Sequence, residues 1–326
     1  MTRSSILVIY SILSFLIFSF NLSAQKNVIE QINTYGKFDN WSVREIKESG
    51  IIGGQTKQLY EFYGNKEVRN TGKTPYKAPQ DYIWRTNNVL AVILGIVKTS
   101  TTVFPERRGE GYCARIETHL ETVKALGIVN MEVCCQGAMI VGALPEPITD
   151  TKNPMSKVFY GVPFNERPKA LLFDYKADVG YQTIRATGFS PKKEMGYPDF
   201  AQALIILQKR WEDDKGNVYA KRVGTGIEII NKSTHQWIND FRLEVHYGDI
   251  TKKPFFKKHM DLNNDPDTAY RVLNSKGKNV IVNEVGWASK DETPNYLIIS
   301  FLSSTGKAFY GGVGNTLWID NVRLEF

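Results

Sequence analysis

Alternation of apolar and polar residues is the main pattern along this chain. Residues 112–117 place Ala114 and Ile116 on one side and charged residues on the other, and residues 241–247 alternate without interruption. Such alternation indicates strands with one buried face. Other segments are apolar at consecutive positions, which is typical of strands buried on both faces. These segments cover residues 169–176, 201–208, 280–285 and 296–302.

The C-terminal residues contain a break in this alternation. Apolar residues at 317 and 319 are followed by apolar residues at 322, 324 and 326, so the phase slips by one at Asp320-Asn321. A slip inside a strand predicts a β-bulge, which bends the strand and re-aims a side chain.

Turn and helix signals complete the prediction of the fold class. Residues 213–217 read as a hairpin loop between two strands. Helix signals are few, and residues 117–126 could form a turn or two before Gly127. Many short strands with glycine and proline turns predict an all-β fold, a two-sheet antiparallel jelly-roll sandwich with little helix.

The N-terminal residues have a different pattern, which predicts export. Arg3 precedes an apolar run over residues 6–20, and small residues follow up to Ala24. This is the order of a signal peptide, which we expect over residues 1–24, leaving 25–326 as a single large jelly-roll domain. The run is shorter than the roughly 20 residues of a membrane-spanning helix, although an uncleaved N-terminal anchor is the alternative.

The same region bears on the destination of the protein. No cysteine lies near Ala24, so a lipid anchor of the bacterial lipoprotein type is not expected. No later segment has the length and hydrophobicity of a transmembrane helix. We therefore expect a periplasmic or extracellular protein without a transmembrane segment after cleavage.

The charge of the chain limits the classes of partner that it is expected to bind. The net charge of +7 is spread along the chain, with one cluster at Lys252, Lys253, Lys257 and Lys258. A mild basic excess suits solubility or attraction to anionic glycans. Without a basic helix, zinc finger or aromatic RNA-binding signature, nucleic acid is not an expected partner.

The chain has three cysteines. Cys134 and Cys135 are adjacent and face opposite ways in a strand, so at most one of them readily meets Cys113.

Motifs for catalysis, nucleotides and metals are incomplete. The glycine run at 311–314 precedes a strand rather than a helix, so no nucleotide site is expected. Residues 261–265 resemble the start of a calcium loop, but proline replaces the required glycine. Asn283-Glu284 resembles the acid/base pair of barrel glycosidases, whose alternating helices are missing here. We assign no catalytic residue.

Aromatic residues beside polar ones suggest a carbohydrate site, because sugar rings stack on aromatic faces while their hydroxyls need amides, carboxylates and arginines. Residues 82–88 offer this mixture, although a core tryptophan followed by a polar turn is the alternative. Trp211, Trp237 and Trp287 are expected in the core. The residues we expect to contact carbohydrate are Trp84, Arg85, Asn87, Tyr112, Arg115 and Glu117.

Several short motifs, in order, resemble a known family. They are Phe38-Asp39-Asn40-Trp41, Trp84-Arg85-Thr86-Asn87-Asn88, residues 111–118, residues 161–164, and Leu317-Trp318-Ile319-Asp320-Asn321-Val322. The chain resembles the carbohydrate metabolism domain family called PCMD, found in exported proteins of Bacteroidetes. The resemblance implies a jelly roll like those of carbohydrate-binding modules, in systems that handle complex glycans. It brings no established catalytic residues.

The resemblance also suggests a calcium ion, because carbohydrate-binding jelly rolls often hold one between an early strand and the final strand. Asp320 at the bulge would supply a ligand oxygen, with Asp39 as its early partner. Alternatively, Asp320 and Asn321 simply satisfy backbone groups at the bulge. No cofactor is otherwise required.

These observations predict an exported glycan-binding protein whose partner is a polysaccharide or oligosaccharide, neutral or anionic. The alternatives are a glycoside hydrolase or polysaccharide lyase on a β-sandwich, and a structural subunit of the cell surface. A solvent-facing Trp84 in a groove would favour binding. Two carboxylates facing each other across a groove would favour hydrolysis, and neither would favour the structural role.

Overall fold

The computed structural model of the protein describes residues 28–62, 68–69, 82–125, 129–150 and 154–326. The predicted signal peptide, residues 1–24, lies outside these ranges, so that prediction stays a prediction. So does the single domain over 25–326. No helix in the described ranges is long and apolar enough to cross a membrane.

Within the described ranges, helix is limited to one α-helix and three short 3₁₀-helices. The α-helix α1 covers residues 28–35. The 3₁₀-helices cover Gly50–Ile52, Pro154–Lys157 and Lys258–Met260.

Strands make up most of the described chain. The first thirteen are β1 (Trp41–Lys47), β2 (Thr56–Phe62), β3 (Val68–Arg69), β4 (Trp84–Thr86), β5 (Val89–Ile93), β6 (Ile96–Ser100), β7 (Val103–Arg108), β8 (Gly111–Glu117), β9 (His119–Ala125), β10 (Val129–Cys135), β11 (Ala138–Ala143), β12 (Phe159–Tyr160) and β13 (Val162–Pro163). The others are β14 (Ala170–Asp178), β15 (Gln182–Arg185), β16 (Lys193–Pro198), β17 (Ala201–Glu212), β18 (Val218–Ile230), β19 (Ile238–Glu244), β20 (His246–Tyr247), β21 (Arg271–Leu273), β22 (Asn279–Trp287), β23 (Tyr296–Leu302), β24 (Tyr310–Gly312) and β25 (Thr316–Glu325).

Two large sheets pack face to face. The ten-stranded sheet has the order β12-β11-β23-β17-β18-β22-β21, with β4, β13 and β20 attached, and the five-stranded sheet has the order β19-β14-β25-β8-β7. Ile205 and Phe301 from the first sheet and Phe173 and Ile319 from the second belong to one buried cluster. The prediction of an all-β sandwich is confirmed, while the jelly-roll order of connections stays a prediction.

The sandwich departs from the predicted two antiparallel sheets in two respects. β18 pairs with β22 in parallel, as β1 does with β3. Small additional sheets also flank the sandwich, such as the pair β9 and β10.

The ten-stranded sheet is apolar on both faces, which explains the consecutive apolar residues of β17. Ile205 and Leu207 face the five-stranded sheet. Leu204 and Ile206 point to the other face, where they pack in a second cluster with Tyr270. The irregular chain between β20 and β21 therefore covers part of this outer face. The uncovered part forms the floor of a cleft.

The predicted bulge in the last strand is confirmed. The register between β14 and β25 shifts between Leu172 and Asp174, opposite residues 320–323. Asn321 has a φ of 52°, a left-handed conformation that asparagine tolerates better than most residues.

The expected helical turns at residues 117–126 are wrong, because residues 119–125 form a strand paired with β10. This pairing overrides the local sequence preference. The hairpin loop at residues 213–217 is confirmed, since it joins β17 to β18. All three cysteines are free thiols, and burial raises the pKa of Cys113 to about 12.

Candidate functional site

A cleft of about 430 Å³ opens on the outer face of the ten-stranded sheet. Ligand sites in proteins usually have volumes of about 300–1,000 Å³, so this cleft has room for a small molecule or part of a polymer. Its floor is formed by β17, β18 and β23, and its two walls are the segments 258–270 and 304–308.

The floor of the cleft is amphipathic. Leu204 lies opposite Ser300 in the register between β17 and β23, and Gln202 lies opposite Leu302. Ile227 extends the apolar part of the floor. The antiparallel register therefore places apolar surface beside an amide and a hydroxyl. This combination suits a sugar ring, because such a ring has an apolar C–H face and hydroxyl groups that form hydrogen bonds.

Ser300 is the unusual residue of the floor. It is 1% exposed, and its hydroxyl has no hydrogen-bond partner within the described part of the chain. An unsatisfied buried hydroxyl costs about 1–3 kcal/mol, and native proteins contain few of them. Ser300 therefore places a polar group without a partner in the described chain at the floor of the cleft.

Glu284 anchors the first wall to the sheet. Its carboxylate accepts hydrogen bonds from the backbone N–H of Asn263 at 2.7 Å and from the side-chain amide of Gln208 at 2.7 Å. Its backbone N–H donates to the Asn264 side chain at 2.8 Å, and its carbonyl accepts from the same side chain. The wall is thus held in place by a buried side chain of β22.

Glu284 is itself held by Arg222, which is fully buried. Arg222 Nε donates to Glu284 Oε1 at 2.6 Å, and Nη2 pairs with Oε2. Burial alone would raise the pKa of Glu284, but Arg222 and the other donors hold it below its usual value. Glu284 is therefore a charged group that connects Arg222 and Gln208 to the first wall.

The second wall is the loop 304–308, which is fixed from two sides. Asp199 accepts hydrogen bonds from the amide and hydroxyl of Thr305 at 3.0 and 2.9 Å. Gln136 donates to Ser304 Oγ at 2.8 Å and to the Gly306 carbonyl at 2.9 Å. An exposed ion pair of 2.9 Å between Lys307 and Asp267 then connects the two walls.

Carboxylates and aromatic rings line the walls unevenly. Asp261, Asp265 and Asp267 all belong to the first wall, and Asp261 pairs with Lys258 at 2.8 Å. That pairing and a backbone hydrogen bond lower the pKa of Asp261. Tyr160 and Tyr270 meet edge to face at one end of the cleft, with ring centroids 5.4 Å apart.

Trp84, which we expected to contact carbohydrate, lies in the core. It is 3% exposed and packs edge to face on Phe38 and within 6.4 Å of Phe301. The ring therefore has no exposed face on which a sugar could stack. The alternative interpretation of residues 82–88, a core tryptophan followed by a polar turn, matches this structure.

Arg85 belongs to the strand that carries Trp84, and Asn87 follows that strand directly. Arg85 donates to the Trp84 carbonyl at 2.6 Å. Asn87 reaches the rim of the cleft, but its side chain already bonds the Gln136 carbonyl, the Thr102 hydroxyl and the Ala138 amide. Asn87 thus positions β11 beside the cleft.

Tyr112, Arg115 and Glu117 lie on β8, away from the cleft. Arg115 and Glu117 are on the outer face of the five-stranded sheet, whereas Tyr112 alternates to the face of Ala114 and Ile116. Arg115 pairs with Glu106 at 3.0 Å and with Glu117. Aromatic rings on this face are covered by cations, as Phe104 is by Arg115 at 4.4 Å and Trp318 by Lys176 at 4.1 Å. A sugar could stack there only after displacing these cations.

Asp320, one of the expected calcium ligands, is bonded to a cation of the chain itself. Arg108 bridges Asp320 at 2.6 Å and Asp174 at 2.8 Å. Burial raises the pKa of Asp320, whereas hydrogen bonds and Arg108 outweigh burial at Asp174 and lower its pKa.

Asp39, the other expected ligand, accepts a hydrogen bond from the Tyr112 amide at 2.9 Å. The structure shows no contact between Asp39 and Asp320, and among the described residues no group of three or more histidine, cysteine or acidic side chains is placed to hold a metal ion. The guanidinium of Arg108, and not Asp39, lies beside Asp320.

Apart from Asn87 at the rim, the cleft residues were not predicted, although the sequence carried two signals. Ser300 and Gln202 are polar residues inside otherwise apolar runs. Residues 261–265 have the oxygen-rich composition of a ligand loop, although they do not complete the calcium motif. Trp211 was expected in the core, but it is 43% exposed and stacks on Tyr219.

The sequence model of the family described as "Putative carbohydrate metabolism domain" matches residues 37–325. A search of curated proteins finds no match.

Solved structures that match this chain include two from Bacteroides species. A crystal structure from Bacteroides thetaiotaomicron, described as a "putative glycoside hydrolase", has 18% identity and a TM-score of 0.48, covering 87% of this chain and 70% of that one. A structure from Bacteroides vulgatus with the same description has 16% identity and a TM-score of 0.42, covering 89% and 96%.

Proposed function

Because the chain belongs to the family of the putative carbohydrate metabolism domain, we propose that it is an exported glycan-binding protein that holds sugar residues in the cleft on its ten-stranded sheet. The signal-peptide pattern of residues 1–24 supports export to the periplasm or beyond. The ligand is a polysaccharide or oligosaccharide.

The observation that carries this proposal is the floor around Ser300. A buried hydroxyl without a partner lies beside Leu204, Leu302 and the Gln202 amide. A sugar ring supplies both apolar C–H surface and hydroxyl groups, so it would satisfy Ser300 while covering the leucines.

Binding is favoured over hydrolysis by the distribution of acids. Hydrolysis generally needs a carboxyl group on each side of the bond that is cut, separated by about 5–10 Å. The aspartates that line the cleft in the described ranges share one wall, and the pKa of Asp261 is lowered, which does not suit a general acid.

The test is a polysaccharide panel with residues 25–326, in which affinity electrophoresis and a reducing-sugar assay run side by side. We expect retardation on at least one polysaccharide without release of reducing ends. Release of product would replace binding with hydrolysis. No retardation on any polymer would contradict the proposal.

Two variants connect the result to the cleft. Ser300→Ala and Gln202→Leu should each weaken binding about three- to tenfold, since a neutral hydrogen bond contributes about 0.5–1.5 kcal/mol. Trp211→Ala, which removes an exposed ring outside the cleft, is the control and should bind normally.

A further inference from the structure

A basic loop continues the first wall of the cleft. We define it as residues 251–259, of which eight are exposed. It contains Lys252, Lys253, Lys257 and Lys258, and the Lys258 side chain is 91% exposed. Lys258 and His259 also line the cleft, so the loop and the cleft form one continuous surface.

Three of these lysines take no part in the ion pairs of the described residues. Lys252, Lys253 and Lys257 make no ion pair with the described residues, whereas Lys258 pairs with Asp261. The neighbouring Asp249 is engaged by the amide and hydroxyl of Thr251 at 2.9 and 2.7 Å. The loop therefore presents a net positive charge beside the entrance of the cleft.

The loop also presents an aromatic face. Phe255 is 39% exposed and stacks on His246 with ring centroids 4.1 Å apart. One face of Phe255 is supported by the imidazole, and the exposed part of the ring lies among lysines. An apolar face surrounded by cations fits a sugar ring that carries an acidic group.

The backbone of the loop is ordered by its own turns. Lys253 N–H donates to the Ile250 carbonyl at 2.9 Å, Phe256 N–H to the Lys253 carbonyl at 3.0 Å, and Met260 N–H to the Lys257 carbonyl at 2.8 Å. Ile250 is 1% exposed and anchors the start of the loop. The lysines are thus presented on a defined backbone, which lowers the entropy lost on binding.

We propose that the ligand of this protein is an anionic polysaccharide, whose carboxylate or sulfate groups contact the lysines of the basic loop while neighbouring sugar residues occupy the cleft. This inference rests on the proposed function of the cleft. It makes the acidic charge of the glycan the determinant of affinity.

The test compares polygalacturonate, alginate and chondroitin sulfate with neutral polymers, including fully methyl-esterified polygalacturonate. We expect at least one anionic polymer to bind about tenfold more tightly than its neutral counterpart, and this preference to weaken as salt is added. Equal affinity for charged and neutral forms would overturn the inference but leave the cleft proposal intact.

Variants locate the preference in the loop. The triple change Lys252→Gln, Lys253→Gln, Lys257→Gln should weaken binding of the anionic polymer about tenfold, since exposed charge pairs contribute about 0.2–1 kcal/mol each. Lys57→Gln, Lys193→Gln, Lys278→Gln removes the same charge from exposed sites elsewhere and should bind normally. Equal losses in both triple variants would show a net-charge effect and overturn the inference.

A vesicle-binding assay distinguishes glycans from lipids as ligands of the basic loop, because anionic lipid headgroups also attract lysines. Sedimentation with phosphatidylglycerol vesicles should capture little protein. Capture by vesicles without retardation on any anionic polysaccharide would assign the loop to a membrane surface and overturn the inference. Failure of the Ser300→Ala variant to weaken binding would instead count against the cleft alone.

Discussion

At the scale of single residues, two buried serines near the end of β23 have opposite environments. The Ser300 hydroxyl has no partner in the described chain, whereas Ser303 bonds the Thr118 hydroxyl at 2.8 Å and the Gly137 amide at 2.9 Å. Removing an unsatisfied group should cost nothing, while removing a satisfied one leaves its partners unpaired.

We therefore expect Ser300→Ala to leave the free energy of unfolding unchanged or raise it by up to about 1 kcal/mol. Ser303→Ala should lower it by about 1–3 kcal/mol. Urea denaturation measures both values. A destabilised Ser300→Ala variant would indicate a partner for Ser300 inside the fold and weaken the case for a ligand there.

Glu61 provides a pH-dependent prediction. It is 5% exposed and shares the guanidinium of Arg44 with Glu146, which lies closer, at 2.6 Å rather than 3.4 Å. Burial raises the pKa of Glu61 to about 8, and the attraction of Arg44 only partly opposes this. The folded state then binds more protons than the unfolded state between about pH 4.5 and 8.

Stability should therefore fall as the pH rises through this window, with a slope of up to about 1.4 kcal/mol per pH unit from this group. In Glu61→Gln, that slope should be reduced. The control is Glu325→Gln, whose partner Arg242 lowers the pKa of Glu325, so its effect belongs to more acidic solutions. Parallel profiles for Glu61→Gln and the natural protein would contradict the assignment.

At the scale of elements, the bulge of β25 illustrates what the sequence could reveal. A slip in the alternation is visible in the sequence, so the bulge at Asp320-Asn321 was predictable. The partner of Asp320 was not, because Arg108 is 212 residues away and only the register of β7, β8 and β25 brings the two together.

Arg108→Met should be destabilising, since it leaves Asp174 and Asp320 buried without their cation. We expect a loss of about 3 kcal/mol in chemical denaturation. Arg107→Met is the matched control, because Arg107 is exposed and rests on Tyr112, so its loss should be below about 1 kcal/mol. Comparable losses in both variants would argue against the bridge.

The same bridge leads to an expectation about calcium. Because a guanidinium already neutralises Asp320, millimolar calcium should not raise the melting temperature of the natural protein, and a chelator should not lower it. Differential scanning calorimetry with and without calcium measures this. A calcium-dependent increase that disappears in Asp320→Ala would restore the metal hypothesis.

Strand positions were predicted better than the site for a related reason. Tyr296–Leu302 and the strand beginning at Ala201 follow from local runs of apolar residues. The cleft depends on contacts across the sheet, such as Glu284 with Asn263, and on which face of β23 stays uncovered. Local periodicity reports burial but contains no information about such distant partners. Trp84 shows the same limit, because an aromatic residue beside polar ones has the same local pattern whether it is buried or exposed.

At the scale of the whole molecule, the two sheets present two candidate surfaces on opposite sides. The cleft lies on the ten-stranded sheet, and the cation-covered rings around Arg115 lie on the five-stranded sheet. Hydrogen exchange with a polysaccharide that binds in the panel should show protection at residues 258–270 and 304–308. Protection of residues 103–117 instead would move the site to the five-stranded sheet. Ser300→Ala should reduce the expected protection at subsaturating polysaccharide.

The anchoring of the first wall through Glu284 has a consequence for how this protein can change over evolutionary time. The side chains that hold the wall, Glu284, Arg222 and Gln208, bond one another at the sheet surface. Exposed positions of the wall and the basic loop, such as Asp265 and Lys257, lie outside that network. Substitutions at those positions would alter ligand preference at little cost to folding, so one scaffold could acquire different glycan specificities while its architecture stays constant.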